Sequence, residues 1–189
     1  MTPPTTDAVR PLTISLFAEN RPGILQRVTC AFSRRTLNID SLTVSPSERP
    51  GLHRFTIAVR TTWHRAERLA RQLEREVEVD VAHVFEDDAT VHRDLALFKV
   101  HPSSLDDDAF ARLMWTFDVA VVEAADDQVT LQMTGTCDEV DALVDALAPW
   151  GVMQFVRSGR IALDRRPCRP VAVHREMQSP FTAPPAPAR

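Results

Sequence analysis

The residues best suited to chemistry lie in two short runs, Glu19-Asn20-Arg21-Pro22-Gly23-Ile24-Leu25 and Leu37-Asn38-Ile39-Asp40-Ser41-Leu42-Thr43-Val44. The first carries a strand into a helix through a polar turn and a Pro-Gly pair. The second opens a strand with an asparagine. A helix start offers unpaired N–H groups to a carboxylate, and carboxamides serve both ends of a zwitterion. That chemistry is reversible capture of a free amino acid. Catalysis is not the natural reading, because no nucleophile, metal cluster or acid–base pair accompanies these residues.

The elements that position them follow from hydrophobic periodicity. Leu12, Ile14 and Leu16 alternate with Thr13 and Ser15 as a strand. Ile24, Leu25, Val28, Ala31 and Phe32 recur at helical spacing from Gly23 to about Arg35, with Pro22 suited to the first helical position. Asn38–Val44 reads as a second strand, Ser45–Gly51 as a polar turn, and Phe55, Ile57 and Val59 mark a third strand. Ala66, Leu69 and Leu73 stripe a helix within Trp63–Glu76, and Val77, Val79 and Val81 mark a fourth strand.

The order βαββαβ then recurs. It runs through a strand over His92–Val100, a helix opened by Pro102-Ser103 and holding Leu105, Ala109, Leu113 and Met114, and a hairpin of Val119–Glu123 and Val129–Met133. A helix capped by Thr136 and Asp138 follows, and Phe155-Val156 with Ile161–Leu163 form one bent strand or a strand pair. The fold class expected is α+β, with two tandem βαββαβ units over residues 11–86 and 91–165, joined near Glu86–Val91. Helices cover one face of each sheet. The other face is expected to be apolar and to drive dimerisation. Residues 166–189 are proline-rich and read as a disordered tail, dispensable for folding.

Composition excludes several classes. The chain has 189 residues, a net charge of −4, Lys99 as its single lysine and no tyrosine. A mildly acidic chain without a basic tract is a poor match for nucleic acid. No apolar run approaches a membrane span, and the N-terminus lacks the apolar stretch of a signal peptide, so the expected compartment is the cytoplasm. Cys30, Cys137 and Cys168 have no paired spacing and read as two buried free thiols and one thiol in the tail. The histidines lack metal-ligand spacing, and no metal site is expected. Arg65, Arg68, Arg71 and Arg75, interleaved with Glu67, Glu74 and Glu76, read as an exposed ion-paired helix face.

The first unit resembles an ACT domain, a ferredoxin-like βαββαβ module that binds amino acids at dimer interfaces. A longer match is closer. Ser33-Arg34-Arg35 with Asn38–Val44, His53–Ile57, Arg93–Val100 and the closing run Val156-Arg157-Ser158-Gly159-Arg160-Ile161-Ala162-Leu163 resemble the small regulatory subunit of acetolactate synthase, also called acetohydroxyacid synthase. The resemblance covers roughly Leu12–Arg165. It implies a chain without catalytic residues or cofactors of its own. Its partner would be a catalytic large subunit that uses thiamine diphosphate, magnesium and FAD, which it would stimulate and make sensitive to branched-chain amino acids, valine above all.

The resemblance also assigns roles. Asn20 and the first-turn amides of Gly23, Ile24 and Leu25 would hold the effector carboxylate. Asn38 of a partner copy would meet its ammonium, and Ile39 with Leu25 its apolar side chain. The structural alternatives are Asn20 as a helix cap, Gly23 as a tight helix start and Asn38 as the partner of a backbone group. One departure stands out. The family has a glycine-aromatic pair where this chain has Thr36-Leu37. A β-branched residue enters the left-handed region only at a cost, so a different helix end and a shifted Asn38 are expected, with altered effector affinity or choice. Two other readings compete with the leading one. The closing Arg157-Ser158-Gly159 segment and the run Arg93–Val100 favour it over a free-standing amino-acid sensor of another enzyme or a transcription factor, and an RNA-binding module lacks stacking aromatics beyond Phe55 and a basic face.

Overall fold

The computed structural model describes residues 8–103 and 108–166. The expected helix residue Leu105, the third cysteine Cys168 and nearly all of the proline-rich tail lie outside them. The chain divides into two compact units, one running through Thr90 and resuming at Asp164, the other spanning Val91–Leu163. Each is α+β with helices on one face of an antiparallel sheet.

In the first unit, β1 (Arg10–Glu19), α1 (Ile24–Ser33), β2 (Ser41–Pro46), β3 (Leu52–Thr61), α2 (Trp63–Leu73) and β4 (Val79–Glu86) follow in order. The sheet order is β2-β3-β1-β4. Ile14 lies opposite Ile57 on β3 and Val84 on β4, which sets every alternate apolar side chain on one face. Leu12, Ile14 and Leu16 pack there with Val28 and Phe32 of α1 and Ala66, Leu69 and Leu73 of α2. Burying each Leu or Ile contributes about 1.5–3 kcal/mol.

Several boundaries differ from expectation, each for a local reason. The strand expected at Asn38 begins at Ser41, because pairing with β3 starts only where the Asp40 amide donates to the Ala58 carbonyl at 2.9 Å. Val77 stands 95% exposed before β4. Pro22 lies in the turn, and Gly23 rather than Pro22 adjoins the helix.

Thr36 does enter the left-handed region, at φ +53°. Its amide donates to the Ser33 carbonyl at 3.0 Å, and that of Leu37 to the Phe32 carbonyl at 3.2 Å. These two bonds form a complete Schellman cap, and Leu37 joins Phe32 in the core. The different helix end expected from threonine is therefore not observed. Cap bonds and burial of Leu37 outweigh the strain at one residue.

The helix-free face of this sheet is mixed rather than wholly apolar, with Ala58 on β3 and Val81 and Phe85 on β4 set among polar residues. It carries Thr13 and Ser15 on β1 and Thr56 on β3, with Phe17 beneath the guanidinium groups of Arg49 and Arg54, each 4.7 Å from its ring centre. Period-2 alternation separates the faces correctly, and the second set mixes small polar residues with apolar ones.

In the second unit, β5 (Thr90–Val100), α3 (Asp108–Thr116), β6 (Ala120–Ala124), β7 (Val129–Gly135), α4 (Cys137–Leu147), β8 (Val152–Arg157) and β9 (Ile161–Asp164) give the order β6-β7-β5-β8, with β9 also on β5. A strand pair, rather than one bent strand, ends the unit. Phe98, Phe110, Leu131, Val140 and Leu143 form its core. Thr136 caps α4 in a full capping box, with Glu139 reaching back to the Thr136 amide at 2.7 Å. Here the helix-free face does carry apolar side chains, Leu95, Leu97 and Val156.

Two other expectations are corrected. Cys30 is exposed and Cys137 half-buried, so neither is a fully buried thiol. Cys30 falls outside the stripe of Ile24, Val28, Ala31 and Phe32 that α1 turns inward. Among the described residues the charged face of α2 holds one internal ion pair, Arg71 with Glu67 at 2.8 Å, while Arg65 donates to the Arg35 carbonyl and Glu74 accepts the Ala82 amide.

Candidate functional site

The site is built at the junction of β1 and α1. Arg21 donates its amide to the Glu19 carbonyl at 2.9 Å and Ile24 to the Arg21 carbonyl at 3.3 Å, which folds the turn tightly. Gly23 then sits at φ +89° as the cap residue of α1, a conformation that favours glycine. Among the described residues no side chain caps this helix, and no acidic residue occupies its first turn. Among the described residues, the amides of Gly23, Leu25 and Gln26 find no acceptor. A Cβ built on Gly23 would meet nothing within 4 Å. The result is an open cluster of backbone donors at the positive end of a helix dipole.

The six residues proposed from sequence divide unevenly here. Gly23 and Leu25 supply free amides, and Leu25 is 47% exposed. Asn20 is exposed beside them, with no hydrogen-bond partner for its carboxamide among the described residues, so it is not the helix cap. Ile24 is different. Its side chain is in the core and its amide donates within the turn. Gln26 supplies the third free amide instead. Helix phase places Gln26, one residue past Leu25, still in the first turn, although its polar side chain carries no hydrophobic signal.

Asn38 and Ile39 lie elsewhere in the same unit. They follow α1 whereas Gly23 precedes it, and ten helical residues rise about 15 Å. Asn38 is exposed with a free carboxamide among the described residues, so it satisfies no backbone group. Ile39 is half-buried against the core. One copy of the chain therefore does not bring Asn38 to Gly23.

Charges around the turn are neutralised locally. Arg21 pairs with Glu19 at 2.6 Å, and Arg27 pairs with Glu76 and Glu78. Among the described residues, the backbone amides and the carboxamides of Asn20 and Gln26 remain as local donors, which suit a ligand carrying a carboxylate. Among the described residues there is no group of three or more His, Cys, Asp or Glu that could hold a metal ion, and no helix is long and apolar enough to cross a membrane.

The closing Arg157-Ser158-Gly159 run is structural in this fold. Arg157 bonds Asp141 of α4 at 2.6 Å and the Cys137 Sγ at 3.2 Å, and lies 3.7 Å from buried Asp94. Burial raises the Cys137 thiol above its ordinary range despite the nearby guanidinium. Ser158 Oγ accepts the Leu95 amide at 3.0 Å, bridging β8 to β5 where the strand pair breaks.

Comparison with known proteins agrees with this architecture. Residues 14–80 match the family described as "AHAS small subunit-like ACT domain", and residues 93–166 that described as "Small subunit of acetolactate synthase". The chain is 35% identical over 153 residues to a probable acetolactate synthase small subunit of Methanothermobacter thermautotrophicus, covering 80% of this chain and 91% of that protein. It is 33% identical to the acetolactate synthase small subunit of Mycolicibacterium smegmatis, over 82% of this chain and 91% of the relative. The crystal structure of the acetolactate synthase small subunit from Thermotoga maritima superposes with a TM-score of 0.76 at 28% identity, covering 84% of this chain and 99% of that one. With both units matched in order, this chain belongs to the family of acetolactate synthase small subunits.

Proposed function

We propose that this chain is a non-catalytic, cytoplasmic regulatory subunit of acetolactate synthase. It binds a catalytic large subunit, raises that subunit's activity and makes it subject to feedback by a branched-chain amino acid, valine first among them. The cofactors, thiamine diphosphate, magnesium and FAD, belong to the catalytic partner. The observation that carries the effector reading is the uncapped start of α1, with three free amides and Asn20 around an open Gly23.

The separation of Gly23 from Asn38 fits a site completed by a second copy. β1 and β2 run parallel, since both are antiparallel to β3. Glu19 lies opposite Leu52 and Pro46 opposite His53, so the end of β2 lies at the Gly23 end of the sheet and its start at the far end. Two copies joined antiparallel along their β2 edges would set the start of one β2, with its Asn38, beside the end of the other. The opposite edge is less available, because Glu74 Oε1 already accepts the outward amide of Ala82 on β4.

The test is acetolactate formation by the cognate catalytic subunit, with and without this chain, titrated with valine, leucine and isoleucine. The expected result is no activity of the chain alone, a higher rate with it, and inhibition by at least one of the three. An unchanged rate on adding the chain, or acetolactate formed by the purified chain alone, would overturn the proposal.

A further inference from the structure

The second unit ends its sheet on an unusual edge. Every residue of β6, Ala120-Val121-Val122-Glu123-Ala124, is exposed, with Val121 at 46% and Val122 at 56%. The helix that hands the chain into it, α3, carries Trp115 at 89% exposure. An open cleft of about 340 Å³ lies at their junction, lined by Ala111, Met114, Trp115, Asp118 and Val119. Proteins commonly cover or charge a free edge, as Glu74 does on β4. On β6 the register shift between Val121 and Glu123 and one carboxylate are the visible protection. An exposed tryptophan beside an apolar edge is the kind of residue that anchors protein interfaces.

Charge decides the occupant. From Thr116 to Gln128 the chain has Asp118, Glu123, Asp126 and Asp127 and no Lys, Arg or His. None of the four is ion-paired among the described residues. A second copy docked here by a two-fold would set these carboxylates against themselves, which disfavours it. We propose that the β6 edge and Trp115 dock an extended segment of the catalytic subunit. The segment adds as a strand beside β6, places an apolar side chain in the Trp115 cleft and sets Arg or Lys against the acidic rim. The inference rests on the regulatory-subunit reading above.

The experiment measures the affinity of the full-length chain for the purified catalytic subunit at two salt concentrations, for wild type, Trp115→Ala and Glu123→Lys. Both side chains are exposed, so the variants should fold, and circular dichroism checks this. Trp115→Ala should weaken binding about tenfold or more. Glu123→Lys should weaken it at low salt and reduce the salt dependence. Valine binding and the self-association of the chain should be unchanged. Wild-type affinity in both variants overturns the docking inference alone. Loss of self-association with intact binding to the catalytic subunit assigns the edge to a second copy and also overturns it. No binding by the wild-type chain overturns this inference together with the regulatory reading.

Discussion

Glu74 at the end of α2 accepts the backbone amide of Ala82 at 3.0 Å and so closes the outer edge of the first sheet with a side chain. Ala82 is buried, and removing its acceptor leaves a shielded donor without a partner. Glu74→Ala should lower stability by about 1–3 kcal/mol, read from chemical denaturation. Glu74→Gln keeps an acceptor and should recover most of that loss. Equal stability of all three proteins would show that the bond contributes nothing.

Thr36 holds a left-handed conformation that glycine adopts freely. Thr36→Gly should therefore stabilise the first unit by about 1 kcal/mol, raising the melting temperature by several degrees. A lower melting temperature would mean that the threonine side chain makes a compensating contact.

Gly23→Asp places a carboxylate where the effector carboxylate is proposed to sit. Any side chain at φ +89° is strained, so Gly23→Ala is the matched control, costing about 1 kcal/mol without adding charge. Valine inhibition of the reconstituted enzyme should be abolished by Asp and only weakened by Ala, with stimulation kept in both. Equal inhibition curves for the two variants would remove the electrostatic argument.

Arg157 spans β8 and α4 over buried Asp94. Arg157→Ala should cost about 3 kcal/mol, because it strands a buried carboxylate, and the added change Asp94→Ala should return part of that loss. Strictly additive losses in a double-mutant cycle would show that the two residues are not coupled.

The Glu139 carboxyl is held below its ordinary range, first by the Thr136 amide and then by the Thr136 hydroxyl. Its folded value is depressed, so its contribution is complete above the ordinary glutamate range and is lost as pH falls through the lowered value. Melting temperatures from about pH 6 to about pH 3 should therefore fall less steeply for Glu139→Gln than for wild type. Parallel curves would show that acid acts elsewhere.

Both units and most of the strands were legible from alternation, because Leu12, Ile14 and Leu16, or Phe55, Ile57 and Val59, define a face whatever packs on it. The site was legible in part. Pro22-Gly23 marked the helix start, whereas the sequence left Asn20 open as a side-chain cap, which it is not. The burial of Ile24 was harder to read, since Ile24 and Leu25 are equally apolar and only the helix phase separates them. The Schellman end at Thr36 was hidden because propensity is local, while the burial of Leu37 is not. Glu74 was hidden because its partner lies eight residues away on another element.

Gly23 and Asn38 stand at opposite ends of α1, so one small ligand cannot touch both within a single copy. An effector that uses both must therefore act as a clasp between copies. Its binding then feeds on association, and association on its binding, by the same factor in each direction. Apparent affinity should weaken on dilution even at fixed effector concentration. The regulatory response would thus report how much of the subunit is present as well as how much amino acid.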